Sequence, residues 1–277
     1  MLVEHALRRR GASIVFLVGL RLTAVVASAA PSVAQDMSKF YQATTIVTGY
    51  DMRSRPLGFA RCLRAVLVNL SGEPRLRDDP RVAALAAHAD ALVASFDYVD
   101  QMAGIKVHDD QGTYDRSYNL TVRFVPARVD EALVELGERP WRGARPAIVP
   151  MLAVRGLKSS YLLSVENPSG AEQRPAFSDA AADFHMKVRF PSDADFAAAG
   201  VALASIPSSP PASSPDEALV VGTLEFQEGL PGWVGSWHMH WHGADYAWGI
   251  EGVNYDEAFR DIVRGVLRLA SGHDAPK

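Results

Sequence analysis

The sequence contains one cysteine, Cys62, so no disulfide can form within the chain. Beyond the N-terminus its basic residues are scattered, and the formal net charge is −4. That leaves no electrostatic footprint for a nucleic-acid partner. No G-x-S-x-G elbow, Walker loop, G-x-G-x-x-G fingerprint or H-E-x-x-H helix is present. The segment DDQGTYD at 109–115 lacks both the ligand spacing and the distal Glu of an EF-hand loop, so it reads as a solvated hairpin loop. What the composition does supply is an ordinary core: 48% of the 277 residues are hydrophobic and 22% are charged. That length allows one large domain or two small ones.

The N-terminus reads as an export signal over residues 1–34. Arg8-Arg9-Arg10 forms a positive n-region, Gly11–Leu20 is apolar, and small-residue sites follow at Ala27-Ser28-Ala29 and Ser32-Val33-Ala34. Cleavage after Ala34 places the polar Gln35-Asp36 at the new terminus. Arg21 interrupts the apolar run, which argues against a permanent membrane span of about 20 apolar residues. Removing residues 1–34 leaves 24 basic against 31 acidic side chains, a net charge of −7. The expected compartment is periplasmic or secreted, with membrane contact only through the export signal.

Along the mature chain the periodicity predicts an α+β protein: two small α/β units with mostly antiparallel sheets packed by helices, ending in a β-meander plus helix. The first unit spans 40–140. It has a β-branched strand at 43–50, a helix between Pro56 and Gly72, and a helix opened by Asp79-Pro80 with Asp as N-cap. Val82, Leu85, Ala89, Leu92, Val93 and Phe96 keep helical spacing. A strand around Phe96–Val99 follows, then one in which Tyr118, Leu120, Val122 and Phe124 alternate, and a helix from Pro126 to Gly137. The second unit spans 144–272. It has strands at 147–154 and 161–165, a helix near 176–184, a short strand at 187–190 and a Pro/Ser-rich surface loop at 204–215. A strand over 219–227, a tryptophan-rich hairpin and a helix opened by Asn254 and Glu257 complete it.

The hairpin run Gly232–Glu251 carries Trp233, Trp237, Trp241, Trp248 and three of the eight histidines. Alternate residues of a strand share a face. Trp237, Met239 and Trp241 therefore lie opposite His238, His240 and His242. A two-residue turn at Gly243-Ala244 sets Trp241 against Tyr246, Met239 against Trp248 and His242 against Asp245. The histidine face supports two readings. It is a solvated polar face, or His238, His240 and His242 contribute ligands to Zn or Cu, with a carboxylate such as Asp245 completing the set. Neighbouring imidazoles on one face sit about 6.5–7 Å apart at Cα, so three converge on one ion only if the strand bulges.

No other catalytic arrangement emerges. Ser236 and His238 share the polar face, but Asp245 falls beside His242, so no triad assembles. Cys62 lies on the apolar stripe Phe59, Cys62, Leu63, Val66, Leu67, Leu70 and reads as a buried small hydrophobe.

Three segments resemble a family of exported bacterial proteins, domain of unknown function 2066 (DUF2066): IVTGYDMRSRPLGFARCLRAVLVNLSGEPRL, YNLTVRFVPARVDEALVELGERPW and VVGTLEFQEGLPGWVGSWHMHWHGADYAWGIEG. The resemblance implies an envelope protein without an assigned reaction, and it carries no catalytic residue and no cofactor onto this chain. The combined expectation is a non-enzymatic binding or envelope-assembly protein, its partner an envelope protein or small ligand. The alternative is a metal-binding protein or metal-dependent enzyme using the histidine strand.

Overall fold

In a computed structural model, residues 37–104, 116–229 and 232–274 are described, within a compact unit that begins at Gln35. The expected leader and the DDQGTYD loop lie outside the described residues. The N-terminal half carries strand β1 (Gln42–Thr48), helix α1 (Arg55–Ser71), helix α2 (Pro80–Ala86), strands β2 (Val93–Asp100) and β3 (Ser117–Phe124), and helix α3 (Pro126–Glu135). The strands form an antiparallel sheet in the order β1-β3-β2. Its central strand alternates as its sequence dictates: Leu120, Val122 and Phe124 are buried under α1 while Arg123 is exposed. α1 approaches closely at Gly58, where a Cβ would lie 2.4 Å from Leu120.

Asp79 caps α2, accepting a hydrogen bond from the Arg81 backbone N–H at 2.7 Å. α2 ends at Ala86, however, and Phe96 belongs to β2. The helical spacing through Phe96 is broken by a 3-10 turn at Ala89–Leu92, after which the chain extends to pair with β3. Sheet pairing overrides the local apolar period here.

The C-terminal half has β4 (Ala147–Arg155), β5 (Ser160–Leu162), α4 (Gln173–Ala182), α5 (Asp193–Ala198), β6 (Glu217–Gln227), β7 (Gly232–Trp241), β8 (Ala244–Val253) and α6 (Tyr255–Ala270). The sheet order is β5-β4-β6-β7-β8, antiparallel except for the parallel β4–β6 pair. Residues 187–190 contribute a single bridge, Val188 to Ile148, rather than a strand. α5 was not expected from the sequence, although Ser192 and Asp195 form a full capping box at its start. Asn254 caps α6 through the Glu257 N–H at 2.8 Å, and Phe259, Ile262, Val263 and Val266 pack fully buried on the sheet.

The β6-β7-β8 meander beneath α6 keeps the expected faces but slides by one pleat. Trp237, Met239, Trp241 and Trp248 are buried. Trp237 pairs with Trp248, Met239 with Tyr246 and Trp241 with Ala244. The turn is His242-Gly243, at φ 48° and 82°, the two positive values a type I′ turn requires. Glycine supplies the second value freely, and histidine tolerates the first. A two-residue slip preserves every side chain's face, which is why the alternation argument survives the wrong turn. Trp237 needs glycines around it: a Cβ on Gly235 would lie 2.1 Å from its ring, and one on Gly222 2.7 Å away.

One apolar cluster runs through both halves, from Leu63, Leu67 and Leu133 to Ile148, Phe177 and Phe259. The C-terminal end of α1 is where they join. Val66 through Ser71 are all buried, as in a helix enclosed on every side. Asn69 Nδ2 donates to Asp183 O at 3.1 Å, and Trp141 N donates to Leu70 O at 2.6 Å. Arg145 lies between Phe40 and Trp141, 3.9 and 4.4 Å from their ring centroids, and donates to Asn69 O. Just past the helix, Glu73 is clamped by Arg268 of α6, both about 95% buried. Burial raises the Glu73 pKa, but hydrogen bonds from Arg75 and the charge of Arg268 outweigh it and hold the carboxyl below its usual range.

Two outcomes follow from this junction. Arg268→Met removes the buried partner of Glu73, leaving it the exposed Arg75, and costs about 3 kcal/mol in urea unfolding. Adding Glu73→Met recovers much of that loss; purely additive losses would show that the two residues do not act as a pair. His185, edge-on to Phe40 at 4.9 Å, is pushed down to about 4 by burial and by the charges of Arg145 and Lys39. The unfolded chain therefore binds the extra proton between about pH 4 and 6.5, so this contribution to stability is complete above 6.5 and is lost as pH falls toward 4. His185→Asn, which tolerates the observed φ of 54°, flattens the stability slope across that window.

Candidate functional site

The histidines do not form one array. His238 and His240 are half-buried on the sheet face opposite α6, whereas His242 is exposed in the turn. His240 Nδ1 lies 2.6 Å from Asp245 Oδ1, its cross-strand partner, and Ser209 Oγ donates to the other Asp245 oxygen at 2.9 Å. Asp245 is the neighbour of His240 rather than of His242, a consequence of the one-pleat slide. The hydrogen bond from His240, then that from Ser209, holds the Asp245 carboxyl below its usual range. Ser236 and His238 share this face without a carboxylate beside them, so the register again denies a triad.

This face is not bare. Val149, Met151 and Val221 form a second, smaller core with Phe196 of α5 and with Val201. The Pro/Ser-rich segment continues across the sheet. Ser213 N donates to His240 O at 3.2 Å, and Ala212 bridges His240 as a short parallel pairing. The segment expected to be a plain surface connection is thus latched to the hairpin. It walls a cavity of about 320 Å³ that also holds Arg189, Asp195 and Glu217. The charged groups there are already paired: Arg189 lies 2.5 Å from Glu217 and 3.3 Å from Asp195.

Among the described residues, one group of three or more His, Cys, Asp and Glu side chains brings its ligand atoms within 4.8 Å of one another: Glu73, Glu138 and His273. Sequence reasoning missed it because its members are spread across the whole chain. Its chemistry opposes a cation. Glu73 already receives Arg268 and three hydrogen bonds from Arg75, at 2.9, 3.2 and 3.0 Å. Next to it, Ser271 Oγ is 2.8 Å from His273 Nδ1, and His273 Nε2 is 2.9 Å from Glu138. The chain of contacts has the order of a Ser-His-Glu relay. Yet Ser271 is the C-cap residue of α6, 3.0 Å from Arg268 O and 3.2 Å from Gly72 O. These contacts moor the end of α6 to the end of α1.

Cys62 is 1% exposed, and burial pushes its thiol up to about 12, so the nucleophilic thiolate does not form near neutrality.

The remaining feature is an open groove beside β2. α1 packs mainly over β1 and β3 and reaches β2 through Phe59 and Arg55. Phe96 on β2 is 39% exposed and contacts Phe59 at 5.2 Å and Tyr98 at 5.9 Å. Arg55 lies 4.8 Å above the Phe96 ring and donates to Tyr98 Oη at 3.4 Å. A cavity of about 250 Å³ opens alongside, walled by Met52, Arg55, Pro56, Phe59, Ala86 and Asp90. Met52, on its wall, exposes 71% of its surface. Among the described residues Arg55 has no carboxylate partner. The sequence did hold a trace of this site: Phe96 and Tyr98 on a strand with few other apolar residues, after a helix opened by Arg55-Pro56.

Residues 34–142 match a family described as Domain of unknown function (DUF8605). This overturns the DUF2066 resemblance. The segments that suggested it are strand and helix patterns whose apolar spacing any packed α+β unit demands, and two of the three fall inside the DUF8605 match. The match covers less than half of the chain and includes the groove. No curated protein and no solved structure matches.

The latch yields a further outcome. Asp245→Asn weakens the hold on both His240 and Ser209, so backbone exchange at Ser213 accelerates and protease cleavage within 204–215 quickens. Unchanged exchange at Ser213 would show that the latch does not depend on Asp245.

Proposed function

We propose that the chain is an exported, non-enzymatic binding protein of the cell envelope that takes a protein partner in the groove beside β2. The observation that carries this reading is the groove itself. It joins a partly exposed aromatic row to an apolar recess and to a cation without a carboxylate. Burying Phe96 and Met52 against a partner supplies apolar area, and aromatic and Arg side chains dominate the energetics of many interfaces. Export rests on the arrangement of Arg8–Arg10, Gly11–Leu20 and the small-residue sites. It is supported by two boundaries that coincide with the expected cleavage, since the compact unit begins at Gln35 and the family match at residue 34. No helix among the described residues is long and apolar enough to cross a membrane.

A photo-crosslinking amino acid placed at Met52 in cells should trap a discrete envelope partner. Arg55→Glu should reduce that product at least tenfold, and a crosslinker at Val134, comparably exposed on α3, should not form it. The form outside the cytoplasm should begin at Gln35. Equal trapping from both positions, or an intact N-terminus in the cytoplasm, would sink the reading.

A further inference from the structure

Resting on that reading, we infer that the groove takes an extended peptide segment of the partner. The segment adds a strand to the free edge of β2, places a large apolar side chain in the recess and pairs an adjacent carboxylate with Arg55. β2 pairs only with β3, so among the described residues its other edge has no strand partner. Gln101 N donates to Ser117 O, which fixes the phase of the ladder. Counting back by two, Val99, Asp97 and Ser95 direct their backbone groups to β3, and Phe96 and Tyr98 direct theirs outward. An eight-residue strand with such an edge would template aggregation unless managed. The usual protections are slight here: one irregularity at Val93/Ser95 lies at the strand's start, and the charge of Asp97 is paired with Arg123 at 2.9 Å.

The side chains point to the same occupant. Phe96 and Tyr98 sit opposite Val122 and Leu120, so they face the helix side of the sheet, where Phe59 and Arg55 of α1 touch them but leave Phe96 39% exposed. Alternate side chains of an added strand would lie on that side, over Phe96 and at the mouth of the recess. A volume of about 250 Å³ suits one large aliphatic or aromatic side chain. Arg55 asks for a carboxylate. Asp90, on the wall of the recess and also without a partner among the described residues, disfavours an acidic run. The recognised element is thus an apolar residue beside a single acidic one, in a β-compatible stretch. This is strand addition, in which backbone bonds give affinity and pockets give specificity.

Panning a phage-displayed random nonapeptide library on the purified protein tests this. Enriched peptides should alternate apolar and polar positions and carry one Asp or Glu next to a large apolar residue. A synthetic copy of the strongest should slow amide exchange at Phe96 and Tyr98. It should bind at least tenfold more weakly to Arg55→Glu, and to Ala87→Trp, since Ala87 also lines the recess and the larger side chain would fill it. N-methylation of the peptide nitrogens that face β2 should abolish binding. Three results would overturn the proposal: no enrichment, enriched peptides indifferent to both variants, or unprotected Phe96 and Tyr98 amides. Dimerisation through β2 in sedimentation would overturn it too, since a second copy would then be the occupant. If these arms fail while the Met52 crosslink still depends on Arg55, strand addition is wrong and the binding surface stands.

Discussion

The buried pair of Glu73 and Arg268 is the constraint on which the rest of this protein depends. A carboxylate and a guanidinium that deep each forfeit several kcal/mol of hydration, and only mutual contact with further hydrogen bonds offsets the loss. That requirement forces the loop after α1 to meet the last turn of α6, almost two hundred residues later. Gly72, Ser271, His273 and Glu138 gather around the same point and hydrogen-bond the two helix ends to one another. The cluster looks like chemistry when viewed as a set of residue types. Viewed through its hydrogen bonds, it is a clasp.

With that clasp closed, the C-terminal end of α1 lies inside the molecule while its N-terminal turn stays at the surface. The two ends of one helix therefore have different duties. The buried end joins the halves, and the exposed end borders β2 with Arg55 and Phe59. The helix is centred over β1 and β3, so the third strand of the sheet is covered only in part, by Phe59 and Arg55. A groove arises because the helix layer is one strand too narrow for the sheet beneath it.

The two sheets also treat their second faces differently. The five-stranded sheet has α6 on one side, and α5 with the 201–215 segment on the other, which is why its histidine face is partly buried. The three-stranded sheet leaves its second face to solvent, mostly polar through Thr44, Thr121, Asn119 and Arg123, with Ile46 and Val99 exposed beside Asn119. An antiparallel sheet tolerates this because alternation puts polar side chains outward.

Much of the fold was legible in the chain because it is governed by local rules. Period-two alternation marked β3 and the apolar face of β7. Period-3.6 stripes marked α1 and α6, and Asp79, Asn254, Pro126 and Gly72 marked helix ends. Each signal lies within a few residues of the structure it specifies. The turn of the hairpin failed by one pleat, since His242-Gly243 and Gly243-Ala244 satisfy the same alternation and only pairing in the sheet separates them. The parallel β4–β6 pair, the latch from Ser209 to Asp245, the Glu73–Arg268 clasp and the groove at Arg55 were decided by tertiary structure alone. Their physical basis is contact between residues far apart in sequence, where neither spacing nor propensity carries information. The sequence by itself determined which side chains would be inside; the tertiary structure decided which of those outside would meet.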